Sequence, residues 1–345
     1  MKPTIKDVAK LAGVSFKTVS RVVNNEAVVG EKLQEKVWQA IRELNYSPNL
    51  SARGLRGAAS SIGFIYDNPN SHYVITMQKG ILDVCLKEGF ELVIRPCDSR
   101  RDDTLTQLIT MIDRSRVGGV VLAPPISENT DAVAAIKKRS VKMVRLISSA
   151  EIPADAENSP CICVNDRKAA YDITSHLIGL GHRHIAFLAG DEEHGSTAER
   201  REGYCEALRE NGLPLDPGLI LPGQYSFDSG VERATALLQE DSPTKNLTAI
   251  FACNDEIAAG ALFAARLRGV NVPAQLSVAG FEDSPFSRQS WPRLTTAAQP
   301  SATIAQHAAQ LLIQTIRAKG EGVNIHSEAF VPSLVVRESS AAPQV

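Results

Sequence analysis

The stretch Ile5-Lys6-Asp7-Val8-Ala9-Lys10-Leu11-Ala12-Gly13-Val14-Ser15-Phe16-Lys17-Thr18-Val19-Ser20-Arg21-Val22-Val23-Asn24 decides how the rest of this chain is read. Val8, Leu11 and Ala12 recur at spacings of three and four, the period of a helix with one apolar face. Gly13 suits the left-handed turn that ends such a helix, and Ser15 is placed to cap a second one. Val19, Val22 and Val23 give the second helix its apolar face. Phe16, Lys17, Ser20, Arg21 and Asn24 fall on the other side. A helix whose outer face is cationic and hydrogen-bonding fits the major groove of DNA. The same spacing also describes an ordinary helical hairpin with a solvated face, so spacing alone leaves both readings open.

Working outward, Gly30 through Leu44 reads as a third helix, with Leu33, Val37, Ala40, Ile41 and Leu44 as the stripe that closes a small core. Residues 47–60 are a connection rich in Gly, Ala and Ser. Asn49 through Arg56 spans about two helical turns, too few to persist alone in water. Charge divides at this connection. Residues 1–60 hold ten Lys and Arg against five Asp and Glu, whereas the remainder holds 27 against 34. The excess of cations therefore sits at the end that carries the candidate DNA-reading helix, as a phosphate backbone requires.

The match then becomes specific. Val14-Ser15-Phe16-Lys17-Thr18-Val19-Ser20-Arg21-Val22 has every fixed position of the Val-Ser-x-x-Thr-Val-Ser-Arg-Val stretch, and in this it resembles the LacI/GalR family of bacterial transcription regulators. Glu43 through Asn49, Ala52-Arg53 and Leu55 are similar to the end of that family's third helix and to its hinge. Gly179 through Ala186, Asn254-Asp255, Ser277 through Phe281 and Leu294-Thr295-Thr296 resemble further family signatures, in the expected order. Gly30 stands where the family usually has Ser, and Leu33-Gln34 where it has Thr-Arg.

The resemblance implies a fold and a set of sites. An all-α helix-turn-helix headpiece is expected over residues 1–46, a hinge helix and linker over 47–60, and an effector-binding and dimerisation core over 61–338. That core is expected to be α/β, with two doubly wound parallel-sheet lobes of the periplasmic-binding-protein type I kind. The first lobe takes 61–160 and 291–322, the second 161–290 and 323–338, with a tail at 339–345. The chain is expected to cross between lobes near 156–163, 287–294 and 320–327. Expected DNA contacts are Thr4, Ser15, Phe16, Lys17, Thr18, Ser20, Arg21 and Asn24 in the headpiece, with Phe16, Lys17 and Arg21 on base edges. Asn49, Ala52 and Leu55 of the hinge are expected in the minor groove, Leu55 as a wedge between base steps. Expected effector contacts are Asp67, Tyr73, Arg200, Tyr225, Asn254, Glu282 and Gln299. Most relatives have Asp at the position of Glu282. The mix of guanidinium, amide, carboxylate and aromatic groups favours a sugar, with a purine-type corepressor as the alternative.

The core pattern agrees with this. Apolar runs at 62–66, 91–96, 118–123, 142–147, 185–189, 249–253 and 277–280 alternate with amphipathic stretches, the mark of parallel sheets covered by helices. Hydrophobic residues are 43% and charged residues 22%, ordinary for a globular chain. No apolar run reaches membrane-spanning length and no signal-peptide core opens the chain, so a cytoplasmic location is expected. Six cysteines are scattered, and all are expected as free thiols. Cys161 and Cys163 are expected on opposite faces of one strand. No phosphate loop, nucleophile elbow or His-Glu-x-x-His motif is present, and no metal, cofactor or catalytic residue is expected. An enzyme of the doubly wound class or a sugar-transport protein would leave the basic headpiece unexplained. The ending Ser339 through Val345 lacks a leucine heptad, so a homodimer on a pseudo-palindromic operator is expected rather than a tetramer.

Overall fold

The computed structural model describes residues 3–23, 29–46, 61–67, 71–115, 117–149, 151–157, 159–239, 246–318 and 327–344. Asn24 and the hinge residues Asn49, Ala52 and Leu55 lie outside the described residues. The chain forms two compact units, 1–60 and 61–345.

In the first unit, helix α1 is Ile5–Ala12, α2 is Phe16–Val23 and α3 is Glu31–Glu43. Thr4 starts α1: its backbone N–H and its hydroxyl both donate to Asp7 Oδ2 at 2.7 Å. Gly13 ends the helix at φ 66°, ψ 32°, the left-handed conformation that glycine adopts without strain. Ser15 Oγ accepts from Thr18 N at 3.1 Å and so caps α2. Val8, Ala9, Val19, Val22, Val37, Ala40 and Ile41 form the core. Two expected core residues are outside it. Leu11 is 46% exposed and Leu33 is 42% exposed. Ile5, Val8, Ala9 and Ala12 make the buried arc of α1, and Leu11 lies about 110° from its centre at 100° per residue. Leu33 shares the face of Val37 one turn earlier. Periodicity names a face but not how far the covering helices extend along it.

The second unit has two parallel sheets. Strands β1 (Ser61–Tyr66), β2 (Glu91–Pro96), β3 (Gly119–Leu122), β4 (Lys142–Ser148), β5 (Cys161–Val164) and β11 (Glu328–Phe330) form one, in the order β11-β5-β4-β3-β1-β2. Strands β6 (Ile185–Leu188), β7 (Ile220–Leu221), β8 (Ala249–Ala252) and β9 (Ser277–Ala279) form the other, in the order β7-β6-β8-β9. Helices α4 (His72–Glu88), α5 (Thr104–Ser115), α6 (Thr130–Lys137) and α12 (Ser301–Arg317) belong to the first lobe. Helices α7 (Asp166–Gly179), α8 (Gly195–Glu210), α9 (Phe227–Leu237), α10 (Asp255–Leu267) and the short α11 (Pro285–Gln289) belong to the second. Strands β10 (Thr296–Ala298) and β12 (Ser333–Val335) pair antiparallel. In the second lobe, Phe187 lies between Tyr204 and Phe251, with ring centroids 5.3 and 5.2 Å away.

The lobe limits differ from expectation. Strand β5 pairs with β4 and β11 inside the first sheet, so the first crossing follows Val164 rather than preceding it. The second crossing runs through β10 and the third follows Phe330, later than the expected 287–294 and 320–327. A short buried strand looks the same in either sheet; only its pairing assigns it. The segment from Ser339 is not a loose tail. Ser339 is fully buried, with its hydroxyl donating to Val278 O at 2.5 Å. Buried His182 meets Ala341 O at 2.9 Å and Thr248 Oγ1 at 2.9 Å. His182 therefore anchors the chain end, a structural role.

The cysteines among the described residues are free thiols. Cys161 and Cys163 share a face, with sulfurs 3.8 Å apart, contrary to the expectation of opposite faces. Side chains two residues apart on a strand point the same way.

Candidate functional site

The outer face of α2 carries the first candidate site. Ser15, Phe16, Lys17 and Arg21 are exposed, whereas Thr18 and Ser20 are half-buried and Val19 and Val22 buried. Phe16 is 44% exposed, a large apolar side chain left facing solvent. Thr4 and Ser15 are partly committed to capping, since Thr4 binds Asp7 and Ser15 accepts from Thr18 N. Sequence reading had not separated these capping duties from contact with a partner.

The second candidate lies between the two lobes of the core. All seven expected effector residues line one chamber of about 80 Å³: Asp67, Tyr73, Arg200, Tyr225, Asn254, Glu282 and Gln299. A wider cavity of about 620 Å³ shares Asp67, His194 and Tyr225 with it. The chamber sits at the carboxyl ends of the strands, where open α/β sheets place their ligand crevices. Asp67 follows β1, Asn254 follows β8 and Glu282 follows β9.

Arg200 is the hub. It stands in the second turn of α8, and its Nε donates to Asp166 Oδ1 at 2.7 Å. Its Nη1 donates to Cys253 O at 2.7 Å, and the guanidinium lies 3.7 Å from the Phe281 ring centroid. Side-chain exposure is 5% for Arg200 and 3% for Asp166. Burial, the largest single influence, pulls the guanidinium pKa down, but Asp166, Tyr225, Cys253 and Glu282 together outweigh it and leave the pKa raised. Ser148 also hydrogen-bonds Asp166 from β4 in the other lobe.

Asp166 was missed from sequence, yet a signal was present. Asn165-Asp166 follows β5 as Asn254-Asp255 follows β8, and both Asn residues cap the next helix. Asn165 Oδ1 accepts from Lys168 N and Asn254 Oδ1 from Ile257 N, each at 2.9 Å. Capping consumes the carbonyl of Asn254 and leaves its amide N–H₂ to donate to a ligand. Tyr225 OH bonds Ser196 and Thr197 at 3.1 and 2.9 Å, while its ring covers Gly190, where a Cβ would stand 2.2 Å from ring carbon. Burial raises the Tyr225 pKa, so the phenol stays neutral.

Acceptors stand beside these donors. Glu282 stands at φ 103°, an unfavourable backbone for a residue with a Cβ. Its carboxylate is 4.0 Å from Arg200 Nη1, and burial pushes its pKa up to about 8. Gln299 Oε1 is buried with no hydrogen-bond partner among the described residues. One further carboxylate joins the lobes. Glu128, in the 3₁₀ turn Ile126–Glu128 of the first lobe, accepts from Ser148 N at 3.0 Å and from Gly195 N at 3.1 Å. Gly195 opens α8, whose preceding His194 makes no side-chain cap. A Cβ at Gly195 would meet Glu128 Oε2 at 2.7 Å, so only glycine lets the carboxylate reach that helix end. Ser99 Oγ donates to Glu193 Oε2 at 3.0 Å, a second tie between the lobes. No group of metal-binding side chains occurs among the described residues.

Residues 4–49 match the family described as bacterial regulatory proteins, lacI family, and residues 174–340 match the periplasmic binding protein-like domain. The HTH-type transcriptional regulator DegA of Bacillus subtilis is 32% identical over 345 residues, 99% of each chain. The chain belongs to the LacI family of bacterial transcription regulators. Among solved structures, the Lac repressor dimer bound to operator and the anti-inducer ONPF superposes with a TM-score of 0.78 at 29% identity, over 99% of this chain and 100% of that one. The transcriptional regulator CelR in its cellobiose complex gives 0.72 at 28% identity, over 98% and 99%. As a LacI-family member, the chain pairs a helix-turn-helix headpiece with a periplasmic-binding-protein-like core of parallel sheets. Among the described residues no helix is long and apolar enough to cross a membrane.

Proposed function

We propose that this protein is a non-catalytic, cytoplasmic repressor of carbohydrate uptake or catabolism genes whose operator affinity is set by a small sugar. The observation that carries the reading is the convergence of Arg200, Asn254, Tyr225, Glu282 and Gln299 from the second lobe and the inter-lobe segments with Asp67 and Tyr73 from the first. Neighbouring donors and acceptors suit a hydroxylated ligand, and the CelR neighbour binds cellobiose in the same fold. Phe16, Lys17 and Arg21 read base edges in the major groove, while Thr18, Ser20 and Asn24 contact phosphates or support docking. Asn49, Ala52 and Leu55 enter the minor groove at the operator centre, as the family resemblance implies.

The surface supports a homodimer on a two-fold operator. Ile75, Leu82 and Leu86 lie on one face of α4 and are 52%, 42% and 71% exposed. Ile94 is 45% exposed on β2, the outer strand of its sheet. These exposed apolar side chains suit burial against a second copy of the chain. The test is footprinting of the purified protein on its own sheared genomic DNA. Pseudo-palindromic sites beside sugar uptake or glycosidase genes are expected, with occupancy altered by one sugar of a panel. Sites that respond to a purine base alone would replace the sugar effector, and no enriched site with or without ligand would remove the headpiece assignment. Exchange of Phe16 and Lys17 should change the preferred bases more than the overall affinity.

A further inference from the structure

The charges of the chamber do not balance. Beside the guanidinium of Arg200 it holds two carboxyl groups, those of Asp166 and Glu282. That guanidinium is committed: Asp166 takes its Nε, Cys253 O takes its Nη1, and Phe281 covers its face. Glu282 is only 15% exposed, and its one ion-pair partner among the described residues is Arg200 at 4.0 Å. Beside it, Gln299 Oε1 is a buried acceptor without a donor. The two are held together by the backbone: Glu282 N donates to Ala297 O at 2.8 Å and Gln299 N to Glu282 O at 3.4 Å. His194 supplies no positive charge, because burial lowers its pKa. A largely buried carboxylate whose cation lies 4.0 Å away and is already committed to Asp166 is unfavourable, and a nearby amide oxygen with no donor adds to this.

We infer that the effector brings a primary ammonium on a hydroxylated scaffold, an amino sugar, with the ammonium between Glu282 and Gln299, and that sugar phosphates and uronates are excluded. This rests on the proposal that the chamber takes a sugar. An ammonium offers three donors and one positive charge in a small volume. It can donate to both groups, which line the same chamber, and the remaining hydroxyls are left to the Asn254 amide. A phosphate or carboxylate placed in the same corner would meet Gln299 Oε1 and the Glu282 carboxyl, with the guanidinium of Arg200 already committed to Asp166. Because burial pushes the Glu282 carboxyl up to about 8, an arriving ammonium displaces its proton at neutral pH.

Isothermal titration calorimetry of the full-length chain, at pH 7, decides this with matched sets of one stereochemistry each. Glucose, glucosamine and glucose 6-phosphate form one set, and the galactose and mannose equivalents the others. In the set that binds, the amine is expected to be at least tenfold tighter than the neutral sugar, and the phosphate to give no binding. Repeating the titration in two buffers of different ionisation enthalpy should show proton release with the amine and none with the neutral sugar. Glu282→Gln should collapse the amine-to-neutral ratio towards one, and operator binding without effector checks that the variant is folded. A neutral sugar equal to or tighter than its amine, or a sugar phosphate that binds, overturns the inference and leaves the sugar reading standing. Silence from every sugar overturns the sugar reading and the inference with it.

Discussion

Removing Asp166 tests whether the Arg200 hub is a desolvated ion pair. The two side chains are 3% and 5% exposed, and Nε and Nη2 of Arg200 both lie 2.7 Å from Asp166 Oδ1. Taking away one partner of such a pair leaves a buried charge alone, at about 3–5 kcal/mol. Asp166→Ala should therefore destabilise the core by that amount. For a unit of this size roughly 2 °C accompanies each kcal/mol, so its unfolding midpoint should fall by about 6–10 °C. Removing both charges is a different matter, because an apolar pair of similar volume requires no desolvation of ions. The double variant Asp166→Leu with Arg200→Met should regain most of the loss. The assay is urea and thermal unfolding of the full chain, followed by a signal of the core, for both single variants and the double. A coupling above about 2 kcal/mol is expected from the cycle. Single variants that each cost under about 1 kcal/mol and simply add would refute the argument, because solvent would then already be screening the pair.

Other consequences are as direct. Glu128→Gln replaces a carboxylate that accepts from backbone N–H groups of both lobes, so spin-label distances between the lobes should lengthen or broaden; an unchanged distribution would deny it a closing role. Gly13→Ala forces a Cβ onto φ 66° with nothing within 4 Å to touch, so the loss should be the backbone term alone, about 1–2 kcal/mol on the headpiece transition, and a neutral result would contradict the left-handed turn. Asp255 is fully buried and burial pushes its carboxyl up to about 7, with Thr296 and Ser284 pulling the other way. Its folded pKa exceeds the unfolded one, so the folded state binds the extra proton and stability should fall as pH rises from about 4 through about 7, by up to ~1.4 kcal/mol per pH unit. Asp255→Asn should flatten that slope in urea unfolding, and an identical slope would assign the titration to another group. Arg200→Ala should abolish the effector response with operator binding intact, and normal effector affinity by calorimetry would take it out of the contact set.

Much of this protein was legible from local rules. The turn at Gly13, the cap at Ser15 and the exposed face of Phe16, Lys17 and Arg21 follow from spacing and side-chain chemistry within one or two helical turns. Strands β1 to β4, β6, β8 and β9 were visible as short apolar runs, whereas β5, β7, β10, β11 and β12 were not. The seven effector residues were named from family position, and each lies at the carboxyl end of a strand, in the loop that follows or in an adjoining segment. What sequence could not supply was set by long-range pairing. Strand β5 joins the first sheet because β4 and β11 lie beside it, and no local pattern encodes that neighbour. Leu11 and Leu33 carry helical spacing yet face solvent, because burial depends on what packs against a face. The salt bridge from Asp166 to Arg200 joins residues from two helices brought together by the fold. Glu128 becomes the cap of α8 only when the lobes meet, and Gly195 is essential only because that carboxylate arrives. Residue types and periodicity thus determined the elements and the chemistry available. The tertiary structure decided which groups share a desolvated space, and the electrostatics of the chamber follow from that proximity.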